Sequence, residues 1–270
     1  MFLQLSKLLS VLICCLLVTT SLQYDFPLLE NPTPVGPLGI KLDYNFAIRD
    51  SEPDSRRKPG RPWFFSSRLR FNQPVDTIRD AVLWGLLFEA QEELGPALQQ
   101  YGISPKTVDV MTLMAFDHEI IFASSVKKFS FAYAVGDTPV TGQLQICQAD
   151  FHEETGYNEQ HSNKAQCGEI MAAQLYNKAH PGADITISGA RFGTVMVIPG
   201  TGGRVDRRAP CSGDRENKPT WGCERYMNDN NLKELNPVFK DRWEAYDLRT
   251  LAGGLVTGAG IQNPDQVLLC

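Results

Sequence analysis

The chain has 270 residues, of which 43% are apolar and 21% charged, a balance that excludes a fibre or a wholly disordered polymer and allows one large domain or two small ones. With 26 Lys+Arg against 31 Asp+Glu the net charge is −5. That excludes an even basic coat holding nucleic acid by counterion release and leaves room only for a local basic groove.

The chain opens with Lys7, an apolar run over residues 8–18 and the small residues Thr19, Thr20 and Ser21. A positive start, a short apolar stretch and a small-residue exit form the pattern of a secretion signal, and the run is shorter than the roughly 20 residues that span a bilayer. The expectation is a signal peptide over 1–21, cleaved after Ser21, and a secreted protein without a membrane anchor. Residues 22–72 carry Pro27, Pro32, Pro34, Pro37, Pro53, Pro59 and Pro62 and hold no sustained period. They read as an extended, partly disordered lead-in to a domain over 73–270. Within them Arg56-Arg57-Lys58 is a solvated charge run, a processing site for secretory proteases or an anion contact.

From Asp76 the pattern becomes helical. Ile78, Val82, Leu86, Leu87, Ala90 and Leu94 recur at helix spacing until Gly95-Pro96 interrupts them, and a further turn over 97–101 ends at Gly102. Residues 106–122 fit neither the helix nor the strand period. Residues 127–135, with Phe129, Phe131 and Tyr133, and residues 140–147, with Val140, Leu144 and Ile146, alternate around Gly136-Asp137-Thr138-Pro139, which predicts a β-hairpin. A polar loop over 150–166 holds His152 and His161. A helix is expected over 167–179, ended by His180-Pro181-Gly182, then a strand in two pieces over 185–198, then a helix from Cys223 that stops at Asn236-Pro237. A helical patch is expected over 243–251. This order predicts an α/β layered domain in which helices cover a mixed sheet.

Five cysteines remain after the signal: Cys147, Cys167, Cys211, Cys223 and Cys270. Taken alone they fit two readings. Cys211 could pair with Cys223, and Cys147 with Cys167 or Cys270, as disulfides in a secreted protein. Alternatively, Cys167 opens one helix and Cys223 another, where the helix dipole favours thiolates that bind metal. Three thiolates would leave a fourth tetrahedral position open, the pattern of catalytic zinc.

Cys167-Gly168-Glu169 at a helix start, then a strand, then Pro210-Cys211 and Cys223 at a second helix start, resembles the zinc-dependent cytidine deaminase superfamily, whose signature is H/C-x-E followed by P-C-x-x-C. The resemblance covers residues 76–236, and the secretion signal is similar to that of the toxin-type deaminases of bacteria and their fungal relatives. It implies a cytidine deaminase-like fold, Zn2+ held by Cys167, Cys211 and Cys223, and Glu169 as the proton shuttle for hydrolysis of an exocyclic amine. The implied substrate is a cytosine-type nucleobase in nucleic acid or in a free nucleoside or nucleotide. Cys147 and Cys270 would be left as an extra pair, bonded between the hairpin and the C-terminus. One departure stands out: eleven residues, 212–222, separate Cys211 from Cys223 where the family has two.

Weaker candidates surround this frame. Asn158 and His161 lie in the loop that would face the substrate, and Phe192 and Trp221 could stack on a base. Arg204, Arg207 and Arg208 make a local positive edge next to Pro210-Cys211, suited to a phosphate. Residues 200–204 read as a turn. The reading from another class is a non-catalytic secreted effector or binding protein stapled by disulfides.

Overall fold

The computed structural model describes residues 31–49, 62–126, 131–134, 137–213, 219–237 and 244–269. The signal expected over 1–21, the basic triplet 56–58 and Cys270 lie outside the described residues. In chain order the elements are β1 (Lys41–Leu42), α1 (Tyr44–Arg49), β2 (Phe65–Arg70), α2 (Asp80–Gln99), β3 (Val110–Phe116), β4 (Glu119–Ser124), α3 (Phe131–Ala134), α4 (Val140–Thr155), α5 (Gly168–Ala179), β5 (Arg191–Val197), β6 (Val205–Arg207), α6 (Cys223–Asp229) and β7 (Lys233–Glu234).

The sheet runs β1-β2-β4-β3-β5-β6, all antiparallel, and β7 lies parallel to β5 on the edge that β6 also uses. The α/β class expected from the sequence is therefore what the chain adopts. Helix α2 covers one face. Gly193 on β5 has no side chain, and a Cβ there would meet Leu235, Leu87 and Trp84 at 2.7–3.3 Å, so this glycine lets α2 lie close to the strand. Helix α5 covers the other face across β3 and β4 and packs on α4, which in turn packs on α6. Its first residue is pressed against the sheet: a Cβ on Gly168 would stand 2.2 Å from Thr112 Oγ1.

Burial on both faces explains why residues 106–122 showed no period. Strands β3 (VMTLMAF) and β4 (EIIFAS) are apolar on both sides because helices cover both sides. The register pairs Phe116 with Glu119 and leaves Asp117-His118 as a two-residue hairpin loop, with Asp117 at φ 41°. Primed two-residue turns need such left-handed residues, and Asp tolerates them.

Several expectations are corrected. The hairpin expected over 127–147 is overturned in its described residues: Phe131–Ala134 are helical, α4 starts at Val140, and Val140, Leu144, Cys147 and Phe151 make a buried stripe at helix spacing. The alternating pattern needed Ile146 inside, and it is 60% exposed. The loop expected from residue 150 accordingly starts only after Thr155. Pro96 does not stop α2, which runs to Gln99. A proline near a helix C-terminus removes a single backbone bond, and here buried Ala97 and Leu98 hold the last turn in place. The lead-in over 22–72 is not an extended tail in its described part. Leu38, Ile40, Leu42 and Phe46 are buried, and Glu93 on α2 accepts the N–H groups of Leu38 (2.7 Å) and Ile40 (3.2 Å). β1 and β2 belong to the same sheet as the rest, so the boundary at residue 73 falls inside one compact unit. The patch at 243–251 holds no α-helix in its described part, only the start of a short 3-10 turn at Leu251–Gly253.

Candidate metal centre

Three local features bring the site together. The first is the start of α5. Cys167 is the N-cap in extended backbone, and Gly168 occupies the only space Thr112 leaves, so the glycine of Cys-Gly-Glu is required by close approach of helix and strand. Glu169 is thereby driven into the interior, where it is 4% exposed. Its Oε1 accepts from Thr194 Oγ1 at 2.8 Å, and Thr194 in turn lies 2.8 Å from Thr112 Oγ1, its cross-strand partner. Its Oε2 lies 3.6 Å from Cys223 Sγ. Burial pushes this carboxyl above the ordinary carboxylate value, and the negative charge on Cys211 adds to that.

The second feature closes the long insert between Cys211 and Cys223. A Cβ on Gly222 would stand 2.0 Å from Cys211 O, and a Cβ on Gly213 (φ 89°) would stand 2.5 Å from Trp221 Cα. The two ends of the insert can thus touch only because glycines stand there. Cys211 then sits where the second cysteine's helix begins: its sulfur accepts the Cys223 N–H at 3.2 Å and its carbonyl accepts the Glu224 N–H at 3.1 Å. The departure from a tight C-x-x-C is accommodated because the described ends of the insert meet.

The third feature is the loop before α5. His161, expected as an exposed substrate contact, is instead 1% exposed and part of the cluster. Its Nε2 lies 3.3 Å from Cys223 Sγ and 3.8 Å from Cys211 Sγ, while Cys167 Sγ lies 3.8 Å from Cys211 Sγ. The donor atoms of His161, Cys167, Cys211 and Cys223 all lie within 4.8 Å of one another, so the group can hold a metal ion. A tetrahedral thiolate centre with metal–sulfur bonds of about 2.3 Å places its sulfurs about 3.8 Å apart. The Cys167–Cys211 separation fits it.

The four described cysteines, Cys147, Cys167, Cys211 and Cys223, are free thiols. The disulfide between Cys211 and Cys223 is therefore not formed, and Cys147, buried beside Asp229, carries no bridge; its expected partner Cys270 is outside the described residues. Hydrogen bonds from Cys167 and Cys223 hold the Cys211 thiol well below the usual range. The bond to Cys211 raises Cys167, and burial raises Cys223. Metal-binding cysteines coordinate as thiolates, so a bound divalent ion would favour ionisation of these buried sulfurs.

A cleft of about 560 Å³ opens onto this cluster and reaches Cys167, Cys211, Glu169 and Thr194. Lys164 and Arg208 line it together with Asp109, Val126 and Met196. Of the expected positive edge, Arg208 is in the cleft, Arg207 borders the adjoining groove with its guanidinium 5.7 Å over the Trp84 ring, and Arg204 pairs with Asp206 at the surface. Asn158 is exposed and accepts from Gln148 Nε2, away from the cleft. Phe192 and Trp221 are 1% and 2% exposed and belong to the core, so they offer no stacking face. Lys164, Thr112 and Thr194 were not foreseen. The signal for the threonines was a lone hydroxyl inside each of two apolar strands, VMTLMAF and RFGTVMV. No family model, no curated protein and no solved structure matches the chain.

Proposed function

We propose that the protein is a secreted, zinc-dependent deaminase that hydrolyses the exocyclic amine of a nucleobase. One observation carries the reading: a buried carboxylate, Glu169, opens onto the same cleft as two of three cysteine sulfurs grouped for one metal ion. The order of elements supports it. A β-hairpin is followed by the helix carrying Cys-Gly-Glu, then by a strand beside the hairpin, then by a helix opened by Cys223 against Cys211. We read this order as the cytidine deaminase-like layering that the resemblance implies.

Cys167, Cys211 and Cys223 would hold the zinc. When bound, the ion supplies a water acidified to a pKa of about 7. Glu169 does the proton work. Thr112 and Thr194 fix its Oε1, which leaves Oε2 facing the sulfurs to take the water's proton and return it to the ring nitrogen and the departing amine. Its raised proton affinity suits a group that must both accept and give. Lys164 and Arg208 place two cations in the cleft wall, which favours a base carrying a phosphate, as in a nucleotide or a nucleic-acid strand, over a free nucleoside. The expected secretion rests on the segment 1–21 alone.

Ammonia release over nucleosides, nucleotides and single- and double-stranded polynucleotides tests the reading. Glu169→Gln should keep the zinc and the fold while lowering the rate by about 10²–10⁴-fold. Zinc-loaded protein releasing no ammonia from any of these would overturn it. A second reading has one observation in its favour, the fourth donor atom of His161 within the cluster. Four protein ligands would close the coordination sphere and make the metal structural, in a secreted binding protein.

A further inference from the structure

We infer that His161 is not a ligand of the metal but an N–H donor to its sulfurs, and that the fourth coordination position is left open on the side of Glu169. The inference rests on the metal-site reading above and decides between its two forms.

The ring's own partners assign its proton. Nδ1 accepts two backbone N–H groups, from Asn163 at 3.1 Å and from Ala165 at 3.3 Å. A neutral imidazole has one donor and one acceptor nitrogen, so Nδ1 is the acceptor and Nε2 carries the hydrogen. That hydrogen points into the sulfurs, with Nε2 3.3 Å from Cys223 Sγ. A ligating histidine works the other way round: it binds through one nitrogen and donates the other N–H to an acceptor. Ligation through Nε2 would push a proton onto Nδ1, against two N–H groups already aimed at it.

The backbone is shaped for this arrangement. Lys164 at φ 53° and Ala165 at φ 54° are successive left-handed residues, neither of them glycine. Such a pair is strained and persists only where the surroundings enforce it. The turn, closed by the Lys164 N–H on His161 O at 2.7 Å, is what aims the Asn163 and Ala165 N–H groups at the ring. The ring itself is clamped edge-on by Trp221 at 5.2 Å, and the His161 N–H is tied to the Tyr133 hydroxyl at 3.0 Å.

The three sulfurs are served in the same manner. Cys167 receives Asn163 Nδ2 at 3.4 Å, Cys211 receives the Cys223 N–H at 3.2 Å and Cys223 receives His161. Three thiolates would give a divalent ion a net charge of −1, too electron-rich to polarise a water well. One N–H donor on each sulfur draws charge back and restores the ion's acidity. The cleft completes the picture, because it is lined by Cys167, Cys211 and Glu169 and by neither His161 nor Cys223. The corner of the cluster that faces the cleft is the one beside the carboxylate.

X-ray absorption at the zinc edge of the full-length zinc-loaded protein tests this directly. The expected spectrum has three sulfurs and one light atom and lacks the outer-shell scattering of a coordinated imidazole. His161→Gln, whose amide can accept from the turn and donate to sulfur, should keep stoichiometric zinc and the same first shell. In the cobalt-substituted protein the sulfur-to-metal charge-transfer band should move more in His161→Leu than in His161→Gln, and turnover should drop by about 10–100-fold in the former. Imidazole scattering in the wild type, or loss of zinc from His161→Gln, overturns the inference and leaves a metal site of the closed kind. Protein that takes up no zinc overturns the metal reading as well.

Discussion

Two neighbouring cross-strand pairs, one residue apart on the same two strands, face opposite worlds. Leu113 and Gly193 look towards α2, where Trp84 and Leu87 fill the space the glycine leaves. Thr112 and Thr194 look towards α5, where they hold the carboxylate of Glu169 beside three sulfurs. One face is apolar packing that any side chains of suitable volume could supply. On the other, two strand hydroxyls are committed to one buried carboxylate, a polar arrangement that depends on its partners being in place. A sheet covered on both faces thus separates stability from chemistry by the alternation of its strands.

The largest expected effect lies on the packing face. Trp84→Ala removes a ring 2% exposed, with Nε1 donating to Asn236 O, and should cost about 3–5 kcal/mol in urea unfolding while the folded protein keeps its metal. Loss of zinc in step with stability would show that the two faces are not separate. The two close-approach glycines give the next test. Gly168→Ala places a methyl 2.2 Å from Thr112 Oγ1 and 3.1 Å from the backbone of Ala123, and should cost about 1–3 kcal/mol and depress ammonia release by moving Glu169. Gly193→Ala meets the flexible end of Leu235 at 2.7 Å and should cost less, with activity retained. The reverse order would mean that the α5 face is the more yielding one.

A further test, read against pH, concerns Cys147, the one described cysteine outside the cluster. Burial pushes the Cys147 thiol up from 9.0 to about 12. A thiol whose folded value is raised favours the neutral form, so its contribution to stability is complete below pH 9 and is lost as the pH climbs towards 12. Wild type should therefore lose stability over that window faster than Cys147→Ala, by at most about 1.4 kcal/mol per pH unit, read from urea midpoints. Below pH 9 Cys147 should resist alkylation, and equal slopes for the two proteins would show that its thiol ionises freely.

Much of the site was legible in the chain. Cys167, Glu169, Cys211 and Cys223 stood out because helix starts can be read locally from caps and the following apolar stripe, and both helices begin where expected. The hairpin was placed wrongly, because a stripe of Val140, Leu144, Cys147 and Phe151 also contains short runs that alternate. The true hairpin, β3 and β4, left no alternation to find, since both its faces are buried. His161 looked like any loop histidine, and its place in the cluster depends on a turn of two left-handed residues that composition does not announce.

What the amino-acid order determined by itself is therefore local: an acid two residues after a cysteine at one helix start, a cysteine at the next, and glycines wherever backbone had to approach backbone. The tertiary structure decided everything that joins them, because convergence is a property of register and layer. Pairing Thr112 with Thr194 put two hydroxyls under one carboxylate, the meeting of the insert's ends put Cys211 against Cys223, and the turn at 163–165 turned the His161 ring so that its N–H meets sulfur. Contacts between residues 25 to 82 positions apart are set by how the sheet and its helices stack, and no spacing along the chain encodes them.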